Sequence, residues 1–290
     1  MGGNHLMKTE LLQLAAISRR LGADVSFVQG GGGNTSLKMN DSDLMYIKAS
    51  GINLDAIEAN TGFLAVDKHR LINGLRTCRT EADYNNLLMR CLLEESETHH
   101  RPSIESGFHA LLGECVVHSH SIWANILTCS VEGRDLLART IPEAVWVDYA
   151  TPGLPLTLAI TDHLELTETS IIFLQNHGLV ISADTPEAAY ALHAAVNEKA
   201  RALFPSLPVF PLNTSGDFHD EGLLFPDQAV YQYSPELSAS IAGHQTAQAY
   251  SYLLHAIPAV GLTLNFIEDA EKAVLVGMES EKHRQKVAQT

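Results

Sequence analysis

The chain has little that could cross-link it or anchor it. Its four cysteines, Cys78, Cys91, Cys115 and Cys129, form no C-x-x-C pair, so the spacing of a zinc ribbon or a redox dithiol is missing. Three of them sit in apolar periodic segments, and buried reduced thiols are expected rather than disulfides or thiolate ligands. Apolar runs are short and interrupted, far below the roughly 20 residues of a membrane helix. The opening Met1-Gly2-Gly3-Asn4-His5-Leu6 has neither a signal-peptide core nor the Ser or Thr of a myristoylation signal. A cytoplasmic location with no membrane partner is therefore expected. Positive charge is scarce as well: 19 Lys and Arg face 34 Asp and Glu, a net charge of −15, which argues against nucleic acid as a partner. Such a protein can still bind a small anion where backbone N–H groups or a few cations collect.

What is present suits a packed core. Of 290 residues, 46% are hydrophobic and 18% charged, enough for one large domain or a domain with an appendage. Leu11, Leu14, Ala15, Ser18 and Leu21 predict a helix over residues 8–21, stopped by Gly22. A short strand over 26–28 leads to Gly30-Gly31-Gly32-Gly33. Residues 34–39 and 44–49 flank Asp41-Ser42-Asp43 as a β-hairpin, and 63–66 read as another strand. Thr80 caps a predicted helix to about 95, and Arg101-Pro102-Ser103 opens another. Residues 115–120 form a strand, followed by a helix over 121–129. Strands 171–174 and 179–182 are joined by Gln175-Asn176-His177-Gly178, and Thr185-Pro186 starts a helix to about 204. Pro205, Pro208 and Pro211 then mark a boundary. Beyond it a strand over 259–266 and a closing helix over 269–287 are expected. Hairpins mixed with helices, without regular βαβ alternation, indicate a layered α+β fold built on a largely antiparallel sheet. The division expected is one domain over 1–204 and a C-terminal extension over 205–290 that packs on it.

His118-Ser119-His120 lies on a predicted strand, where alternation sends both imidazoles to one face about 7 Å apart along the backbone. That spacing suits two ligands of one tetrahedral zinc ion. The pair alone is a weak signal, since 14 histidines give roughly 0.7 such pairs by chance. Two surface histidines on an edge strand are the plain alternative. Val116 and Val117 lead into the pair, and His177 sits in a tight Asn-His-Gly turn that can aim a third imidazole into a cleft. A three-histidine site with an open position is the catalytic pattern. Glu105, 13 residues before His118, stands at the predicted first turn of a helix. There it can serve its own helix dipole, or act as a base beside an open-site metal. His109, four residues on, reads as a packed or hydrogen-bonded histidine, while the remaining histidines, His99, His100, His163 and His193 among them, look solvated.

The Gly30–Gly33 run is neither a Walker loop nor a dinucleotide fingerprint, because no Gly-Lys-Ser/Thr follows and no helix opens after it. It is either a flexible bend or a place where the backbone N–H groups of Gly33 and Asn34 meet a phosphate. Ser50-Gly51 and Ser103 could complete that cradle, and Lys48 shares a strand face with Ser50.

Gly33-Asn34-Thr35-Ser36, Ala49-Ser50-Gly51, Pro102-Ser103-Ile104-Glu105, Val117-His118-Ser119-His120 and Asn176-His177-Gly178 together resemble the class II aldolase/adducin family. Its typical members are L-fuculose-1-phosphate and L-rhamnulose-1-phosphate aldolases. The resemblance covers roughly residues 8–204. Around Leu224-Phe225-Pro226-Asp227 the tail resembles the aldolase portion of bacterial proteins that fuse a rhamnulose-phosphate aldolase to a short-chain dehydrogenase, although no Gly-x-Gly dinucleotide motif follows. The resemblance implies α/β/α layers with a central antiparallel sheet between helices, and a homotetramer. It assigns zinc to His118, His120 and His177, with Glu105 as general acid/base. It maps a phosphate pocket onto Gly33, Asn34, Ser50, Gly51 and Ser103, with Ile104 where fuculose-type enzymes carry a second serine. It also implies a proton-donating tyrosine after the H-x-H strand, for which Tyr149 is the nearest candidate. The expected activity is reversible cleavage of a phosphorylated sugar, a ketose 1-phosphate, to dihydroxyacetone phosphate and a small aldehyde. A sugar-phosphate epimerase or dehydratase, or a non-catalytic adducin-like scaffold, are the alternatives.

Overall fold

A computed structural model describes residues 2–39, 42–93, 100–163, 169–211, 221–233 and 235–278. Among these, seven strands form one sheet in the order β3-β2-β1-β4-β7-β6-β5. The strands are β1 (Asn34–Lys38), β2 (Leu44–Lys48), β3 (Phe63–Asp67), β4 (Cys115–Ser119), β5 (Val145–Val147), β6 (Ser170–Leu174) and β7 (Gly178–Ala183). Every neighbouring pair is antiparallel except β5 with β6, as the mixed hairpin pattern predicts.

The central strand β4 is buried along its whole length, which is why its sequence is apolar rather than alternating with charge. Its side chains still alternate between two cores. Cys115 and Val117 join Leu14, Leu21, Leu37 and Ala189 on one face. Val116 packs with Phe108, Ile160, Ile172 and Val180 on the other. The first face is covered by α1 (Gly2–Gly22) and α8 (Pro186–Ala202). Between β3 and β4 lie α2 (Lys68–Leu75), α3 (Glu81–Arg90) and α4 (Ser106–Leu111). Thr80 caps α3 in a capping box with Asp83, and Thr185 caps α8 ahead of Pro186, both as their sequences predict. After β4 come α5 (Ile122–Thr128) and α6 (Gly133–Thr140), and α7 (Leu154–His163) follows β5. The four free cysteines are buried, and burial pushes the Cys91 thiol up to about 11 and that of Cys129 up to about 12. Both stay protonated and inert at neutral pH.

Several local expectations differ. Residues 26–28 form a turn, not a strand: Asp24 accepts from both the backbone N–H and the hydroxyl of Ser26, a side-chain turn that competes with extension. The helix expected at Arg101-Pro102-Ser103 starts only at Ser106, because Pro102 bridges to Ala49 and Ser103 N–H donates to Lys48 O. Residues 259–266 are not a strand either. They follow α11 (Ile241–Ala259) as irregular chain, with single bridges at Leu264 and Ile267. The remaining C-terminal helices are α9 (Pro226–Tyr231), α10 (Pro235–Ser238) and α12 (Asp269–Gly277). The expected hairpin residue Asp41, His99 and the expected helix beyond 278 lie outside the described residues. Tyr250, Leu253 and Ile257 of α11 share one core with Trp123, Ile126, Val196 and Phe173.

Candidate metal centre

His118 and His120 project from the end of β4 to the face occupied by Val116. Ser119, pointing the other way, hydrogen-bonds His193 of α8 at 2.7 Å. His193 is therefore buried between helix and sheet, against the expectation that it is solvated. The third imidazole arrives from the β6–β7 turn. Asn176 adopts φ 54° there, a left-handed conformation that Asn tolerates better than most residues. The turn is held by two donations from Asn176 Nδ2, to Leu224 O at 2.9 Å and to Asn265 O at 2.7 Å. Gly178 is required next, since a Cβ at that position would lie 2.2 Å from Ser119 O. His118, His120 and His177 are all buried, and their ligand atoms fall within 4.8 Å of one another.

The outer nitrogens fix how these rings face the centre. His118 Nδ1 lies 3.1 Å from Leu179 O, and His120 Nδ1 lies 2.9 Å from Asp227 Oδ2. A carbonyl and a carboxylate only accept, so each Nδ1 carries the proton and each Nε2 presents a lone pair inward. The two Nε2 atoms stand 3.1 Å apart. Glu105 closes the cluster, with Oε2 3.5 Å from His118 Nε2 and Oε1 3.4 Å from His177 Nε2. Burial pushes the imidazoles of His118 and His177 down to about 4 and about 3, so both are neutral at pH 7. Burial alone would raise the Glu105 carboxyl, but the facing imidazoles and the Asn34 amide outweigh it and hold the group down at about 2. A buried carboxylate facing the inward lone pairs of His118 and His120 is costly unless a cation completes it. Three imidazole nitrogens with a carboxylate beside the open position fit zinc.

Glu105 is the residue preceding α4 rather than part of its first turn, and its side chain makes no cap hydrogen bond. It accepts instead from Asn34 Nδ2 at 2.6 Å. His109, whose burial keeps its imidazole well below the ordinary range, is neutral. It contacts Asn34 Oδ1 through Nε2 and Ser36 Oγ through Nδ1. With Nε2–H donating to Asn34 Oδ1, the amide is oriented so that its NH₂ faces Glu105.

The glycine run is a close-approach element, not a flexible bend. Gly33 has φ 66°, and a Cβ there would lie 2.8 Å from His118 O. A Cβ on Gly32 would lie 2.6 Å from Asp227 Oδ2 and 2.7 Å from His120 Nδ1. Residues 48–51 and 101–105 are tied together by Ser50 N–H to Arg101 O and Ser103 N–H to Lys48 O.

In consequence Gly33, Asn34, Lys48, Ser50, Gly51 and Ser103 all line one cleft, with Ile104, Glu105, His120 and His177. The cleft measures about 500 Å³ counted out to its open mouth. Lys48 is only 3% exposed there, its ammonium 3.4 Å from Gly31 O. Tyr149 is not among the lining residues. It packs against Leu223, Ile267, Leu275 and Met278, where burial first and Glu271 second push its hydroxyl pKa up. Pro226 and Asp227 also line the cleft, and neither was read from the sequence as a site residue. The Leu-Phe-Pro-Asp stretch was the available signal, but nothing local ties it to a histidine more than 100 positions away.

Comparison with known proteins agrees with this geometry. The family described as Class II Aldolase and Adducin N-terminal domain matches residues 12–204. A Bacillus subtilis (strain 168) protein, "Uncharacterized oxidoreductase YuxG", is 28% identical over 200 residues, which are 65% of this chain and 28% of that protein. The matched stretch thus spans little more than a quarter of that relative's length. Among solved structures, the N-terminal class II aldolase domain of a conserved protein from Thermoplasma acidophilum superposes with a TM-score of 0.59 at 27% identity, covering 66% of this chain and 92% of that one. An aldolase II superfamily protein from Pseudomonas syringae gives 0.52 at 18% identity over 84% of this chain and 92% of its own, a likeness of fold.

Proposed function

The chain belongs to the class II aldolase and adducin family, and from that premise we propose that it is a zinc-dependent aldolase acting on a ketose 1-phosphate. The observation that carries this reading is the convergence of His118, His120, His177 and Glu105 beside a cleft that is also lined by Lys48, Ser50 and Ser103. A scaffold needs no inward-facing imidazoles beside a buried carboxylate.

His118, His120 and His177 would hold the metal through Nε2. When bound, the metal supplies a Lewis acid that polarises the substrate carbonyl. Glu105 does the proton work: in the synthetic direction it removes the proton from the carbon next to the carbonyl, and after cleavage it returns a proton to that carbon. The Asn34 amide holds the carboxylate oxygen in place and favours its ionised form. Lys48 provides the charge, and Ser50, Gly51, Ser103 and Gly33 the small surface, against which a phosphate docks. In cleavage the hydroxyl on the carbon that becomes the aldehyde gives its proton to the ionised Glu105 carboxylate. The carbon–carbon bond breaks with its electron pair on the ketone side, and Glu105 hands that proton to the ketone-side carbon, releasing dihydroxyacetone phosphate and an aldehyde.

The test is a panel of ketose 1-phosphates assayed for triose-phosphate release, with and without a chelator. Release that the chelator abolishes is the expected result. A change of sugar configuration or loss of water without triose phosphate would replace the aldolase reading by an epimerase or dehydratase.

A further inference from the structure

Asp227 lies beyond the family-matched residues 12–204, yet its carboxylate reaches the metal cluster. It is 2% exposed, and Oδ2 accepts from His120 Nδ1 at 2.9 Å, on the side of the ring opposite the metal-facing nitrogen. The segment around it is fixed for that purpose. Gln228 Oε1 accepts from the N–H groups of Leu224 and Phe225 at 2.6 and 3.1 Å, which holds the start of α9. Leu224 O accepts from Asn176 Nδ2, coupling the same segment to the His177 turn, and Leu223 O accepts from Ile267 N–H at 2.7 Å. Gly32 leaves the space that the carboxylate and the His120 ring share. The glycine run is tied to the same part of the chain, since Gly31 N–H donates to Tyr231 Oη at 3.0 Å and Gly30 N–H to Gln245 Oε1 at 2.8 Å.

We propose that Asp227 is a positioning residue of the metal centre, contributed by the C-terminal segment: its carboxylate fixes the tautomer and orientation of His120 and makes Nε2 a stronger ligand. A carboxylate behind a ligating imidazole does this generally, and losing it typically costs about 10–100-fold in metal affinity. Charge and geometry both enter. Asparagine can still accept from Nδ1–H but brings no negative charge, whereas alanine brings neither.

The inference rests on the metal-binding reading above, and the experiment keeps the two apart. Zinc dissociation constants of the full chain are measured by competition with a chromophoric chelator for wild type, Asp227→Asn and Asp227→Ala. The visible absorption of the cobalt(II) forms is recorded alongside. The expected result is affinity weakened about tenfold in the asparagine variant and up to about 100-fold in the alanine variant, with a changed cobalt spectrum for alanine. If the alanine variant does not fold, the isosteric asparagine variant decides. An asparagine variant with wild-type zinc affinity and a wild-type cobalt spectrum overturns the proposal, whatever its thermal stability. Failure of the wild type to take up zinc or cobalt defeats the metal reading itself.

Discussion

Asn34 donates an amide N–H to Glu105 Oε2 at 2.6 Å from the strand position paired with His118, so one residue links the base to the metal strand. A hydrogen bond to a charged group is worth roughly 1.5–3 kcal/mol. Asn34→Ala should therefore slow the reaction about 10–100-fold. The bond favours the ionised carboxylate, so its loss raises the Glu105 pKa and moves the acid limb of the rate profile to higher pH. A pH–rate profile of the variant checks this, and an acid limb that stays in place would remove Asn34 from the machinery.

Glu105→Gln separates proton transfer from metal binding. The three imidazoles remain, so zinc is retained, while exchange of the substrate's carbon-bound proton with deuterated water should fall by about 10²–10⁴. NMR of the exchanging position gives the rate. Wild-type exchange would return Glu105 to a structural role.

His118→Ala, His120→Ala and His177→Ala should each lose most of the bound metal while the chain stays folded. If zinc binds the folded state alone, adding it at 100 times its dissociation constant should stabilise wild type by about 2.7 kcal/mol. Each variant should lose that increment in a thermal-shift titration. A variant that keeps full zinc content identifies a histidine that is not a ligand.

How much of this was legible depended on sequence distance. Strand alternation alone put His118 and His120 on one face, and the Asn-His-Gly turn announced His177, because both signals are local. The cradle residues were named from three separate turns, but only the Ala49–Pro102 bridge and the Ser103–Lys48 bond bring those turns together. Asp227 was invisible because its partner lies 107 positions away. Residues 259–266 read as a strand from their apolar content, yet they serve as irregular chain whose Asn265 grips Asn176 at 3.0 Å. Tyr149 was chosen by order along the chain, which says nothing of depth. The structure puts it in the cluster of Leu223 and Ile267 instead.

His193 predicts the acid sensitivity of the fold. Burial first, and His118 second, push its imidazole from 6.5 down to about 3. Between those values the unfolded chain binds a proton that the folded chain refuses, so stability falls as pH falls through this window. In metal-free protein His118 and His177 act in the same direction. Glutamine at 193 can still pair with Ser119 but takes up no proton. Urea unfolding from pH 6 to pH 4 should show the slope of stability against pH reduced by about 1.4 kcal/mol per unit in His193→Gln. An unchanged slope would mean that His193 is already protonated in the folded protein.

Lys48 and Ser103 offer the sharpest test of what the cleft binds. Lys48 is buried in the cleft wall and Ser103 stands beside it, its hydroxyl accepting from Asn34 Nδ2 at 3.2 Å and from Glu105 N–H at 3.2 Å. Ser103 accepts in both of these bonds, so its O–H remains a neutral donor, whereas Lys48 offers a charged one. A charge-assisted hydrogen bond is roughly twice as strong as a neutral one, so Lys48→Met should weaken anion binding more than Ser103→Ala. Ser103→Ala should instead disturb the Asn34–Glu105 pair and act more on turnover. The measurement is inhibition by inorganic phosphate and by a phosphorylated hydroxamate in wild type and both variants, with kcat and KM determined separately. If neither anion competes with substrate, or free ketoses are cleaved as well as their 1-phosphates, the cradle does not bind phosphate, and Lys48 is there to offset the buried acidic groups.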